Sequence, residues 1–82
     1  MSVDAEEVVL QSPLMYRVLR ERGGALILEA VVGGAAMYAV RVRLLPSEAA
    51  EFAAQGARFS DRLAREIMAN PRLGGRAYDP AD

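Results

Sequence analysis

Cysteine, histidine, tryptophan, threonine and lysine do not occur in this 82-residue chain. Each absence removes a class of chemistry. Without cysteine there is no disulfide framework, thiolate nucleophile or thiolate metal site. Without histidine the commonest general base and nitrogen ligand are gone. Without lysine there is neither Schiff-base chemistry nor a Walker-type phosphate clamp. Ser2, Ser12, Ser47 and Ser60 therefore have no His or Lys to activate them. Metal chemistry would need an all-oxygen site, and no D-x-D-x-D-G loop occurs. The expectation is a protein that is not an enzyme and holds no cofactor or metal.

Charge is nearly balanced, at −1, and all ten basic residues are arginine. A general nucleic-acid binder carries a clear basic excess, so nucleic acid is not the expected partner. The start has no basic n-region of a secretory signal. Ala25 to Val40 is uncharged except for Glu29, yet it is shorter than the roughly 20 residues of a membrane span and is broken at Gly33-Gly34. The expected compartment is the cytoplasm, with no membrane association. Arginine without lysine, together with fifteen alanines, suggests a GC-rich bacterial genome.

What is present is a globular profile, 52% hydrophobic and 26% charged, of a length suited to one domain over 1–82. Residues 1–4 are expected as a loose start and 5–45 as a β-meander. Glu6 to Leu10 is short and β-branched, and Gln11-Ser12-Pro13 breaks it. Leu14 to Arg22 is ambiguous. Read as a helix, it has Ser12 as N-cap, Pro13 at the first position and Gly23 past the end. Read as a strand, it puts Leu14, Tyr16 and Val18 on one face. The strand is preferred because two strong strands follow, and a third makes the sheet independently stable.

Those two strands are Ala25 to Val32 and Ala36 to Leu45. Tyr38, Val40, Val42 and Leu44 share a face, as do Leu26, Leu28 and Ala30. The apolar rows meet only if even positions pair with even. A two-residue Gly33-Gly34 turn would pair even with odd, so a three-residue Gly33-Gly34-Ala35 connection, or an equivalent bulge, is expected. It gives the pairs Ala30 with Tyr38, Leu28 with Val40 and Leu26 with Val42. The parity argument applies equally to the Gly23-Gly24 turn.

Pro46 ends the sheet, and Ser47 is expected to cap a helix over 47–69, with Glu48 and Glu51 near its positive end. Phe52, Gly56, Phe59, Leu63 and Ile67 form one stripe. Gly56 either breaks this helix or lets it approach the sheet closely. Unbroken, the helix is about 33 Å long and covers one sheet face. Asn70-Pro71 stops it, leaving 70–82 as an expected mobile tail. The fold class is thus α+β, an antiparallel three- to four-stranded β-meander with a C-terminal α-helix packed on one face. The expected core is Tyr16, Val18, Leu26, Leu28, Tyr38, Val40, Val42, Leu44, Phe52, Phe59, Leu63 and Ile67.

One helix leaves the second sheet face open. That face carries Met15, Arg17, Leu19, Glu21, Ile27, Glu29, Val31, Met37, Arg41, Arg43 and Leu45. Its plain role is a solvated face with ion pairs, such as Glu29 with Arg41 across a diagonal. Its functional role is a contact surface, for which Met15, Arg17, Ile27, Glu29, Val31, Met37, Arg41 and Arg43 are the candidates. A thin core gains from association, and a twofold homodimer is the commonest form.

Other features are weaker. Arg58, Arg62 and Arg65 lie on the helix, where Asp61 with Arg65 and Arg62 with Glu66 have ion-pair spacing. Tyr16 and Tyr38 are expected to pack their rings against the core. Gly74-Gly75 lacks the flanking strand and helix of a phosphate loop. The function expected is a non-catalytic protein-interaction module. It would be a homodimer or a subunit of a bacterial assembly, with an immunity or antitoxin protein as one form. The alternative is a nucleic-acid-binding regulator using Arg17, Arg41 and Arg43. A small ligand-binding domain or enzyme is third.

Overall fold

The computed structural model describes residues 6–80. Four strands form one antiparallel sheet in chain order: β1 (Glu7–Ser12), β2 (Tyr16–Arg20), β3 (Leu26–Val32) and β4 (Tyr38–Arg43). Two helices follow, α1 (Pro46–Gln55) and α2 (Ala57–Ala69). The fold is α+β, as expected, and the ambiguous Leu14–Arg22 segment holds a strand. The loose start expected for residues 1–4 lies outside the described residues.

Parity governs the sheet. Tyr16, Val18 and Arg20 pair with Ala30, Leu28 and Leu26. Leu28, Ala30 and Val32 pair with Val42, Val40 and Tyr38. Even positions meet even positions, but the β3–β4 register is displaced by two residues from the expected pairs. The cause is the connection. A 3₁₀ turn, Gly34–Ala36, lengthens it to residues 33–37, the next odd number above three. Both connections keep the apolar rows on one side, since a one-residue slip would have exposed them.

Gly33 makes the longer turn possible. Its φ is +96°, and a Cβ there would lie 2.7 Å from the Tyr38 ring and 2.9 Å from the Ala36 carbonyl oxygen. Tyr38, expected in the core, is 43% exposed. It occupies the start of an edge strand, beside the turn glycine. Gly33→Ala is expected to cost about 2 kcal/mol, because it combines a strained backbone with a backbone collision. Gly34→Ala has the space and should cost about half as much. Urea midpoints of the two variants check the order.

β1 contains a bulge between Val8 and Leu10. The extra residue lets Val9 and Leu10 both reach the core. The core is otherwise the even row of the sheet against Phe59, Leu63, Ala64 and Ile67 of α2, with Leu26 and Phe52 partly buried at its margin. α1 buries no residue fully.

The single expected helix is two. Gly56 breaks it at φ 61°, ψ −133°, a conformation open to glycine. The cap also differs from the expectation. Leu45 occupies the N-cap and Pro46 the first helical position, so Ser47 lies inside the first turn. Glu48 compensates by accepting the Leu45 backbone N–H at 2.8 Å.

Residues 70–80, expected as a mobile tail, instead fold back. A short 3₁₀ turn (Leu73–Gly75) leads Ala77 into the core. Tyr78 then pairs with Arg41 on the outer edge of β4, with N–H···O distances of 2.8 and 2.9 Å. Arg76 donates to Glu48 at 2.7 and 3.0 Å and to the Arg43 carbonyl at 3.0 Å, tying the segment to both α1 and β4.

Candidate protein-contact surface

The odd positions of the sheet form three cross-strand rows on the face away from α2. The first is Leu19, Ile27 and Arg43; the second is Arg17, Glu29 and Arg41; the third is Met15, Val31 and Ala39. Register alone assembles them, and each row has a different character.

The aliphatic pair of the first row is removed from solvent, while Arg43 stays exposed. Ile27 is only 1% exposed and Leu19 2%. Ile27, one of the expected contact residues, is therefore a packing residue in this fold. Arg43 and Glu21 lie on opposite sides of β3, so their paired hydrogen bonds of 2.8 and 3.2 Å span that strand.

The second row is an ion-pair network centred on Glu29. Its two carboxylate oxygens accept from Arg17 Nε and Arg41 Nε, each at 2.8 Å. Arg41 also donates to Glu6 through Nη1 at 2.7 Å and Nη2 at 3.2 Å. Glu6 precedes β1, which is three strands from β4. The Glu6 carboxylate meets the Arg41 guanidinium on this face. Glu29 faces Arg41 directly rather than diagonally, as the two-residue register displacement requires. Burial pushes the Glu29 pKa up, but the hydrogen bonds from Arg41 and Arg17 outweigh it and hold the carboxyl below its usual range. Hydrogen bonding to Glu6, opposed by burial and aided by Glu29, raises the Arg41 pKa. Arg17, Arg41 and Arg43 are thus all paired to carboxylates.

The third row is apolar and open. Met15 is 50% exposed, with φ 69° in the β1–β2 turn. The Val31 N–H donates to its carbonyl at 2.9 Å, extending the ladder by one residue. Met37, in the β3–β4 connection, is 63% exposed, and Met68, at the end of α2, is 37% exposed. These three methionines, with Val31, Val32, Gly33 and Gly34, line one depression of about 260 Å³. No charged side chain lines it. A second depression of similar volume runs from Met15 and Val31 to Arg17 and Glu29, joining the apolar end to the ionic row.

The sequence placed Met15, Val31 and Met37 together but missed Met68. Met68 adjoins Ile67, off the main stripe of α2. It reaches the depression from the C-terminal end of that helix. Tyr16 takes its expected place in the core, and the sequence missed only the partners of its hydroxyl. Its ring is in the core, and its hydroxyl donates to Asp61 Oδ1 at 2.5 Å and lies 2.7 Å from Ser60 Oγ. Burial first, then Asp61, raises the Tyr16 pKa. The hydroxyl is therefore protonated at neutral pH and serves as a structural donor. Asp61 is engaged there rather than with Arg65. Arg62 reaches Glu51 at 3.8 Å and lies over the Phe59 ring at 5.3 Å, rather than pairing with Glu66.

Among the described residues, no group of three acidic side chains is placed to hold a metal ion, and no helix is long and apolar enough to cross a membrane. Comparison of the chain with protein-family profiles, with curated proteins and with solved structures returned no match.

Proposed function

We propose that this protein is a non-catalytic interaction module that associates with a second copy of itself through the methionine-lined end of the sheet. The carrying observation is that exposed Met15, Met37 and Met68, from three separate elements, converge on one uncharged depression. Methionine is flexible and polarizable, and adapts its surface to another apolar surface. A twofold contact places each patch against its own copy, so a patch without charge meets no like charge there. A chain of this size also has a thin core and gains stability by burying more apolar surface. The nucleic-acid alternative requires free positive charge, and Arg17, Arg41 and Arg43 already hold carboxylate partners. The proposal retains the cytoplasmic, bacterial setting expected from the composition.

Sedimentation of the full chain tests it. The expected result is a reversible dimer at micromolar concentration. A Met15→Asp, Met37→Asp double variant should be monomeric with an unchanged circular dichroism spectrum. Both side chains are exposed, and aspartate tolerates the left-handed backbone at position 15 better than methionine does. A wild-type monomer at every concentration, or a double variant that still dimerises, would overturn the proposal.

A further inference from the structure

The chain has no cysteine and four methionines, so Met15, Met37 and Met68 carry every sulfur atom beyond that of Met1. All three line the same depression. We infer that this depression is a reversible oxidation site, at which peroxide converts the three thioethers to sulfoxides and so releases the contact between copies. The inference rests on the self-association proposed above and adds its regulation.

The chemistry needs one co-reactant, a hydroperoxide. A sulfur lone pair attacks one peroxide oxygen, the O–O bond breaks and an S–O bond forms. Sulfur loses two electrons, and hydrogen peroxide is reduced to water. A dithiol-dependent sulfoxide reductase reverses the step: two thiols become a disulfide, and the sulfoxide oxygen leaves as water. All three sulfur-bearing side chains are more than a third exposed in the single chain, which gives peroxide access.

The consequence follows from the walls of the depression. A thioether is apolar, whereas a sulfoxide oxygen is a strong acceptor that must keep a donor when buried. Val31, Val32, Gly33 and Gly34 offer no side-chain donor. In the free chain each sulfoxide is solvated by water; in a contact between two such patches it is not. Each oxidised residue should therefore weaken association about tenfold or more. The contact in turn shields the sulfur atoms, so oxidation should be slower at concentrations where the chain is dimeric.

The test compares four samples of the full chain: the wild type untreated and treated with hydrogen peroxide, and a Met15→Leu, Met37→Leu, Met68→Leu variant without and with peroxide. Mass spectrometry counts the oxygens added and locates them. Sedimentation reads association, and circular dichroism reads folding. The expected result is an untreated dimer, an oxidised but folded monomer, and a leucine variant that dimerises before and after treatment. The variant retains Met1 and so controls for oxidation there. Untreated and oxidised dimers of equal affinity would overturn the oxidation site and leave the contact standing. An untreated chain that is monomeric throughout would overturn both. Loss of the folded spectrum on oxidation would also overturn the inference, because dissociation would then be unfolding.

Discussion

Leu28→Ala is expected to destabilise the protein by about 3–4 kcal/mol, the usual range for opening a cavity at a fully buried leucine. Leu28 is 0% exposed and central in every direction. It pairs with Val18 of β2 on one side and Val42 of β4 on the other, and the α2 stripe closes over it. Its neighbours are held by two strand ladders and a helix, so the site cannot collapse to fill the gap. A domain of this length has a total stability of about 4–12 kcal/mol, so the loss is a large part of the whole. Leu14→Ala, at an exposed turn residue, serves as the control and should change stability by less than about 0.5 kcal/mol. Urea unfolding of both variants measures the contrast. Equal midpoints would show that the even row is not the core.

Glu29→Ala is expected to cost about 3 kcal/mol at neutral pH, within the range for breaking a mostly buried ion pair from one side. The side chain of Glu29 is 14% exposed and that of Arg41 15%, so neither charge can readily return to water. Arg17, at 39%, can do so, and Arg41 keeps Glu6. Those two escapes hold the cost below the upper end of the range.

The same residue sets an acid dependence. The Glu29 pKa is lowered in the folded chain, so its contribution is present above the unfolded value of about 4.3 and is lost as pH falls through the folded value. Glu48 has the same sign, because Arg76 hydrogen-bonds to it. Melting temperature in the wild type should therefore decline in acid below about pH 4. The Glu29→Ala profile should be flatter there, since part of the titrating contribution is gone. Parallel profiles for the two proteins would exclude Glu29 as a source of the acid dependence.

Much of this arrangement is legible in the residues. The alternation of Tyr38, Val40, Val42 and Leu44 against Arg41 and Arg43 identifies the buried face of β4, and the spacing of Phe59, Leu63 and Ile67 identifies that of α2. Parity then requires odd connections, which the β2–β3 and β3–β4 hairpins have. Register is less legible. Connections of three and five residues satisfy the same parity, and only the 3₁₀ turn with Gly33 at positive φ selects the longer one. Tyr38 moves to the surface as a result, and Glu29 comes to face Arg41. Gly56 shows the same limit. Its presence marks either a break or a close approach, and the energetic choice depends on where α2 must lie to cover the sheet.

The absence of cysteine, histidine and lysine, read from composition alone, removes most nucleophilic, imidazole and Schiff-base chemistry, because those side chains are the reagents. Periodicity alone determines the α+β class, since a period of two and a period of 3.6 demand different backbones. Tertiary structure alone decides which open-face residues stay open. Arg17, Arg41 and Arg43 find carboxylates from β3, from the segment before β1 and from the end of β2. Ile27 is buried, and the segment after α2 closes the edge of β4. Those outcomes depend on residues distant in the chain, such as Glu6 with Arg41 and Arg41 with Tyr78, whose proximity no local pattern encodes. Among the described residues, the end where Met15, Met37 and Met68 meet stays uncharged and exposed.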